Sequence, residues 1–317
     1  MNIEDLLRET LSDMAHEEQP PPPGRLLRSR RPSRRGPALA AAAAVAVLAA
    51  GAALVAGALP APVADPPGVT GRGPDETRAE TPRKPIVLTV RAGMRLSQVL
   101  RLLSDATGRP VAEFERAAED GEALGLPAYA KGALEGFVFP AAYEFPAGSS
   151  PREILAAMVA RFDRAAGDAG LVEGAGRIGR TPLEVLTVAS IVQAEAVRAE
   201  DMPKIARVVY NRLDRTPPRK LELDSTVMYG LGKTGSTVSV EDLRSRSRYN
   251  TYVHPGLPPG PIGNPGAAAV EAALRPAPGP WLFFVTTDPG RRVMKFADSE
   301  AGFIKLVEES RRNWRTG

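Results

Sequence analysis

Carboxylate side chains are the groups in this sequence best suited to carry out chemistry. The 317 residues include no cysteine, which excludes disulfides, thiolate metal ligands, cysteine nucleophiles and iron–sulfur clusters. His16 and His254 are the only histidines, so a histidine metal centre or a Ser-His-Asp triad is not expected. No metal or cofactor is therefore predicted, and acid–base chemistry by Asp or Glu remains.

Glu195 is the main candidate for this chemistry, because it follows an apolar stripe on a predicted helix. The helix begins at Thr181-Pro182-Leu183-Glu184, where Thr caps, Pro takes the first position and Glu closes a capping box. Val188, Ile191 and Val192 form the stripe, and Glu195 lies on the same face. Burial raises the pKa of a carboxyl group, so Glu195 is a candidate general acid near neutral pH.

A structural role is the alternative for Glu195. At the end of the helix its carboxylate could form a salt bridge with Arg198 or Arg212. The pattern alone leaves both interpretations open.

Polar and aromatic residues alternate with Pro and Gly in the segments that follow. A capped helix over residues 202–213 leads to segments 221–230, 247–252 and 256–266. Tyrosine rings stack on sugar rings, while amides and hydroxyls hydrogen-bond their hydroxyl and acetamido groups. The pattern favours a sugar polymer as ligand, with candidate contacts at Asn211, Asp224, Ser225, Thr226, Tyr229, Tyr249, Asn250, Thr251 and Asn264.

These residues resemble the YceG-like family of endolytic murein transglycosylases over residues 85–317. The family's helix motif is Ala-Ser-Ile-Val-Glu-Lys-Glu, and this chain has Ala-Ser-Ile-Val-Gln-Ala-Glu at 189–195. The second Glu of the motif, the family's catalytic acid, falls on Glu195. The first is Gln193 here, which cannot be an obligatory acid and is a candidate substrate contact. Ala141 also stands where the family usually has Asp.

The resemblance implies a lytic transglycosylase, a lyase that cuts the bond between N-acetylmuramic acid and N-acetylglucosamine within peptidoglycan strands. Glu195 would protonate the glycosidic oxygen and then accept the proton of the muramyl C6 hydroxyl, leaving a 1,6-anhydro end. The implied partners are peptidoglycan glycan strands, the inner membrane and peptidoglycan synthases, and the implied role is to limit nascent strand length. Nucleic acid is not an expected partner, because 41 basic and 37 acidic residues give a net charge of only +4.

Two other functions stay open. A hydrolytic muramidase would need a second carboxylate across the scissile bond, and Asp224 is the candidate. A non-catalytic wall-binding scaffold would leave the binding to residues 85–130 and give Glu195 a structural role.

The N-terminal sequence predicts a single membrane anchor. Residues 37–59 carry no charged or strongly polar side chain, and about 20 such residues span a bilayer core of ~30 Å. A cleavable signal peptide is the alternative, but its charged region and apolar stretch would both be shorter. A cytoplasmic N-terminus and an extracytoplasmic remainder follow from the basic cluster before the span, namely Arg25, Arg28, Arg30, Arg31, Arg34 and Arg35.

The predicted fold class is α+β, in five parts. A cytoplasmic tail (1–36) and the transmembrane helix (37–59) precede a disordered tether (60–84) rich in Pro and Gly. Residues 85–130 have a strand-helix-helix pattern, which the resemblance identifies as a LysM-like subdomain. Residues 131–317 are the predicted YceG-like catalytic transglycosylase domain.

Overall fold

Helices and strands are mixed in this protein, as the sequence predicts. A computed structural model describes residues 84–235 and 238–316, all within one compact unit. The elements are β1 (Ile86–Thr89), α1 (Leu96–Thr107), α2 (Val111–Ala118), β2 (Ala142–Phe145), α3 (Pro151–Asp168), α4 (Leu171–Arg177), α5 (Pro182–Glu195), α6 (Met202–Leu213), α7 (Asp224–Gly230), α8 (Ala267–Leu274), β3 (Phe283–Asp288), β4 (Val293–Ala297) and α9 (Glu300–Thr316).

The predicted N-terminal parts fall outside this description. The cytoplasmic tail, the transmembrane helix and the tether up to residue 83 are not among the described residues. Within the described residues, no helix combines the length and the apolar character needed to cross a membrane. The anchor at residues 37–59 therefore stays a prediction.

Helix α5 lies at the centre of the hydrophobic core. Every residue from Val185 to Val192 is buried, and helices α4, α6, α7 and α8 pack around this helix. The predicted burial of Val188, Ile191 and Val192 is confirmed, but the prediction that they form a single apolar stripe is wrong. A helix enclosed by other helices is apolar on all sides, because none of its faces meets water.

The predicted start of α5 is confirmed. The Thr181 hydroxyl accepts a hydrogen bond from the Glu184 backbone N–H, and the Glu184 carboxylate accepts one from the Thr181 N–H at 2.7 Å. This capping box satisfies backbone donors that the first turn would otherwise leave unpaired. It fixes the end of α5 that lies opposite Glu195.

Strand β1 pairs with β2 in an antiparallel sheet, from Ile86 opposite Phe145 to Thr89 opposite Ala142. The first strand belongs to the predicted LysM-like subdomain and the second to the predicted catalytic domain. Helix α1 packs on β1, and its Leu103 is fully buried in the same hydrophobic cluster as α5. The two predicted parts share one sheet and one core.

Arg212 fastens α6 to another two-stranded sheet, formed by β3 and β4. Its Nε donates to the carbonyl oxygen of Leu282 at 2.6 Å, directly before β3. Its Nη1 donates to the carbonyl oxygens of Lys220 and Leu221 and to the Glu222 carboxylate, at 2.9, 3.0 and 2.9 Å. A buried guanidinium needs such partners, and here they hold the segment that leads into α7.

Gly136 occupies a backbone position that larger residues do not fit. Its φ is +91°, and a Cβ built on it would lie 2.6 Å from Cγ of Pro261. Gly148 has a similar φ of +87°, but nothing lies within 4 Å of its hypothetical Cβ. Comparing alanine substitutions at the two glycines therefore distinguishes the cost of backbone strain from the cost of steric overlap.

We expect Gly136→Ala to lower the free energy of unfolding by about 2–4 kcal/mol, partly from left-handed backbone strain and partly from displacement of Pro261. Gly148→Ala should cost only the backbone part, ~1–2 kcal/mol. Denaturant unfolding of both variants measures the difference. Equal losses would show that the contact with Pro261 carries no strain.

Candidate active site

Glu195 is the last residue of α5, and helix α7 lies beside it. The residue as a whole is half-buried, and its carboxyl group is largely desolvated. The hydroxyl of Ser225, in the first turn of α7, donates to Oε1 of Glu195 at 2.5 Å. This hydrogen bond fixes the carboxyl group at the junction of the two helices.

Burial raises the pKa of Glu195 to about 7, and the nearby negative charge of Asp224 acts in the same direction. The hydroxyl and the backbone N–H of Ser225 oppose this shift, because they stabilise the carboxylate. The C-terminal end of a helix also disfavours an anion. Near pH 7 the group is divided between acid and carboxylate, which suits a group that first donates and then accepts a proton.

Asp224, the first residue of α7, places another carboxyl group close to Glu195. The Tyr252 hydroxyl donates to its Oδ1 at 2.7 Å. Burial raises the pKa of Asp224, and the hydrogen bond from Tyr252 partly offsets this effect. Burial and the charge of Asp224 raise the pKa of Tyr252 well above its ordinary value, so the phenol stays protonated and keeps donating.

Tyr229 and Tyr249 form a partly exposed aromatic pair. Their ring centroids are 4.7 Å apart and their planes are inclined at 55°. The Arg95 guanidinium lies over the Tyr229 ring, 5.2 Å from its centroid. A Cβ at Gly230 would lie 2.9 Å from Cβ of Tyr249, so glycine allows the loop to pack on α7. Two such rings offer a surface on which a sugar ring can stack.

Several predicted substrate contacts lie beneath the surface instead. Thr226, Asn250, Thr251 and Asn264 are at most 1% exposed. The Thr226 and Thr251 hydroxyls are 2.8 Å apart, and the Asn250 amide donates to two carbonyl oxygens of its own loop. Direct contact with a ligand does not fit this burial. Thr226, Asn250 and Thr251 instead hold the backbone that carries Tyr229, Tyr252 and their neighbours.

Asn264 joins two segments that are far apart in sequence. Its Oδ1 accepts from the Val138 N–H at 2.9 Å, and its Nδ2 donates to the Met94 carbonyl oxygen at 2.9 Å. Its own backbone N–H donates to the same oxygen. Asn264 therefore attaches the turn before α1 to the segment before β2.

Asn211 and Gln193 are also engaged with the backbone. Nδ2 of Asn211 donates to the carbonyl oxygens of Gly279 and Trp281, at 3.0 and 2.8 Å. This contact does not bring Asn211 to Glu195. Oε1 of Gln193 accepts from the Gly266 N–H at 3.1 Å, and Gln193 lies in the last turn of α5, two residues before Glu195.

The predicted salt-bridge alternative for Glu195 is wrong in the described structure. Nη1 of Arg198 pairs with Glu200 at 2.9 Å, and Nη1 of Arg212 pairs with Glu222 at 2.9 Å. Both guanidinium groups have carboxylate partners other than Glu195. Its raised pKa agrees with this, because an adjacent cation would lower it.

Glu135 is a carboxyl group of the site that sequence reasoning missed. The Tyr229 hydroxyl donates to its Oε2 at 3.1 Å, and burial raises its pKa to about 7. One signal was available: Glu135 is the charged residue in the otherwise apolar run from Leu134 to Phe139. A lone carboxylate in such a run is buried and needs partners.

A cavity of about 580 Å³ lies between α3 and α8, away from these groups. Arg161, Arg164, Glu271, Arg275 and Phe139 are among the residues that line it. Its lining includes none of the predicted site residues. The candidate active site is the cluster of titratable and aromatic groups around Glu195.

The fold and the site together define a protein with a carboxyl group suited to acid–base chemistry, next to partly exposed tyrosines. A sequence model of the YceG-like family matches residues 74–309. This chain therefore belongs to the YceG-like family, which confirms the resemblance seen in the sequence.

Curated relatives and a solved structure agree with this membership. An endolytic murein transglycosylase of Bacillus subtilis is 38% identical over 161 residues, which cover 50% of this chain and 44% of the relative. One of Streptococcus pneumoniae is 32% identical over 157 residues, 48% of this chain and 28% of the relative. The chain thus spans less than half the length of these relatives. A crystal structure of a yceG-like protein from Listeria monocytogenes, 28% identical, has a TM-score of 0.63 and covers 71% of this chain and 76% of that one.

We expect Glu195→Gln to stabilise the protein at alkaline pH. The folded pKa of about 7 lies above the ordinary value of 4.5, so ionisation of Glu195 destabilises the fold increasingly between those values and fully above the higher one. A neutral amide lacks this cost. The gain in Tm over wild type should be near zero at pH 4 and positive at pH 8.

Thermal unfolding across this pH range measures the gain. Glu144→Gln is the matched control, because Glu144 is an exposed carboxylate on β2. A lower Tm for Glu195→Gln at pH 8 would indicate that an ionised Glu195 stabilises the fold.

Proposed function

We propose that this chain is an endolytic lytic transglycosylase that cleaves peptidoglycan glycan strands between N-acetylmuramic acid and N-acetylglucosamine. One observation carries the proposal: burial raises the pKa of Glu195 to about 7 while Ser225 holds its carboxyl group in place. Membership of the YceG-like family and the names of the curated relatives support the same activity.

In the first step, Glu195 donates its proton to the glycosidic oxygen. The bond from that oxygen to the anomeric carbon of N-acetylmuramic acid breaks, and the N-acetylglucosamine hydroxyl leaves. The acetamido oxygen of the muramyl residue meets the positive charge on the anomeric carbon. Asp224 favours the step, because its charge keeps Glu195 protonated until the leaving group accepts the proton.

In the second step, the Glu195 carboxylate accepts the proton of the muramyl C6 hydroxyl. The C6 oxygen bonds to the anomeric carbon and displaces the acetamido oxygen, which leaves a 1,6-anhydro end. Glu195 is again an acid, and no water is consumed. The hydroxyl of Ser225 stabilises the carboxylate between the steps, since it donates to Oε1.

The residues around Glu195 would bind the strand. Tyr229 and Tyr249 present partly exposed rings for stacking. Gln193, half-buried in the last turn of α5, is the nearest amide in sequence for an acetamido group. The buried amides and hydroxyls beneath them act indirectly, by holding these side chains.

A hydrolytic muramidase is the second candidate. It is favoured by Asp224, whose carboxyl group lies close enough to raise the pKa of Glu195 and is oriented by Tyr252. In that reaction Asp224 would supply the second carboxylate that hydrolysis requires. A wall-binding scaffold without activity is the third possibility, and loss of cleavage in a Glu195 variant would exclude it.

We also propose where the enzyme works. Residues 37–59 anchor it in the bacterial cell membrane, residues 1–36 stay in the cytoplasm, and residues 60–84 tether an extracytoplasmic α+β part. That part comprises the LysM-like segment 85–130 and the catalytic segment 131–317. In this position the enzyme can meet nascent strands and peptidoglycan synthases and limit strand length.

We expect Glu195→Gln to lower the rate of strand cleavage by ~10²–10⁴-fold, because the amide neither donates nor recovers the proton. Wild type should release 1,6-anhydro ends from purified peptidoglycan. Mass spectrometry of the products measures both the rate of cleavage and the chemical nature of the new ends. Glu144→Gln should cleave at the wild-type rate, and unreduced activity of Glu195→Gln would contradict the proposal.

Asp224→Asn separates the two enzymatic mechanisms. We expect slower cleavage with unchanged anhydro ends, since Asp224 acts on the pKa of Glu195 rather than on the sugar. Reducing ends from wild type, together with loss of cleavage in Asp224→Asn, would favour the muramidase.

The topology predicts that a reporter fused at Gly317 is extracytoplasmic. The basic cluster before residue 37 retains the N-terminus inside. Paired fusions of alkaline phosphatase and green fluorescent protein measure the location. Fluorescence without phosphatase activity would contradict both the location and the wall substrate.

A further inference from the structure

Glu135 accepts hydrogen bonds from three separate parts of the chain. The backbone N–H of Leu96, the first residue of α1, donates to Oε1 and Oε2 at 2.9 and 3.1 Å. The Tyr229 hydroxyl on α7 donates at 3.1 Å, and Nδ2 of Asn264 donates at 3.4 Å. This carboxyl group therefore joins α1, α7 and the segment before α8.

The charged and titratable groups around Glu135 are few. Burial raises its pKa to about 7, while the donors Leu96 and Tyr229 and the positive charge of Arg95 oppose the shift. Arg95 lies over the Tyr229 ring and donates to the Met228 carbonyl oxygen at 3.4 Å. Tyr249 is the remaining titratable group close to Glu135, and the charge of Glu135 helps to raise its pKa.

Helix α7 connects Glu135 to the catalytic carboxyl group. Ser225 and Tyr229 are four residues apart in α7, so they lie on the same face of the helix. Ser225 donates to Glu195, and Tyr229 donates to Glu135. One face of α7 therefore carries both contacts, one turn apart.

We propose that Glu135 is a positioning residue, which locks the Tyr229 ring and the start of α1 into a glycan subsite beside Glu195. The inference rests on the proposed function and extends it, because it makes the predicted LysM-like segment part of the same binding surface. Gly136 and Pro261, in close contact, hold the backbone of Glu135 in place.

The ionised form of Glu135 suits this role. A carboxylate only accepts hydrogen bonds, and here Leu96, Tyr229 and Asn264 all donate to its oxygens. An amide in its place keeps one accepting oxygen and directs an NH₂ group either at the Leu96 N–H or at Tyr229, whose hydroxyl would have to reverse its hydrogen bond. Glu135→Gln therefore disrupts the arrangement that holds Tyr229, with little change in volume.

Glycan affinity tests the proposal without cleavage. The parent protein is the full chain carrying Glu195→Gln, and the probe is a soluble oligomer of alternating N-acetylglucosamine and N-acetylmuramic acid. We expect Glu135→Gln in this parent to weaken binding by ~10-fold in calorimetry, the scale of one hydrogen bond to a charged group. Tyr229→Phe keeps the ring but loses the same bond, so it should weaken binding equally.

The double variant measures whether the two residues act as one. Glu135→Gln combined with Tyr229→Phe should bind no more weakly than the weaker of the single variants, because both changes remove the same contact. Additive losses would overturn the inference, since Glu135 and Tyr229 would then act separately. Glu144→Gln is the control and should leave the affinity unchanged.

The pH dependence gives a readout that a purely structural role would not move. Protonation of Glu135 turns one of its accepting oxygens into a hydrogen-bond donor. The affinity of the parent should therefore fall as the pH drops through about 7. The Glu135→Gln variant should show no such fall. If Glu135→Gln lowers the Tm but binds the oligomer as tightly as the parent at every pH, the inference is overturned and the proposed function stands. A parent that binds no oligomer would overturn both.

Discussion

A carboxyl group at the end of a helix buried on all sides is the constraint on which this site depends. Helix α5 is enclosed from Val185 to Val192, and Glu195 lies in its partly exposed last turn. Packing around the helix desolvates the carboxyl group, and the helix end disfavours its anion. The same burial that stabilises the core therefore prepares Glu195 for acid–base chemistry, at a cost in stability whenever Glu195 is ionised.

Helix α7 turns this single group into a site. It presents Ser225 to Glu195, places Asp224 close enough to raise the pKa of Glu195, and carries Tyr229 one turn further along. The buried side chain of Thr226 fixes the position of α7, because its hydroxyl forms a hydrogen bond of 2.8 Å with the hydroxyl of Thr251. Buried polar groups with satisfied hydrogen bonds fix a backbone firmly, and here they fix the backbone next to Glu195.

Local signals predicted the parts of this structure that local interactions determine. The capping box at Thr181 and the position of Glu195 at the end of the helix depend on residues a few positions apart, and both predictions hold for the described structure. The pattern of polar residues predicted which loops surround the site, but it did not predict which of their side chains are exposed. Asn250 and Asn264 look like ligand contacts in sequence, yet both are fully buried.

The features of the site that could not be predicted from the sequence depend on contacts between residues far apart in the chain. Glu135 becomes important only because the fold brings Leu96 and Tyr229 to its two oxygens, 39 and 94 residues away. Asn211 follows the same rule, since its amide meets carbonyl oxygens 68 and 70 residues later. Periodicity along one helix contains no information about such partners, because they depend on how distant segments pack.

The protonation state of Glu195 near neutral pH decides whether this residue can act as the acid. A titration of its side-chain carboxyl carbon by NMR measures that state directly. In wild-type protein labelled at glutamate, the carboxyl signals of Glu195 and Glu135 should titrate near pH 7. One of them should disappear in the Glu195→Gln variant. If the signal lost in this variant titrates at the ordinary value of 4.5 instead, Glu195 is fully ionised at neutral pH and is not the acid.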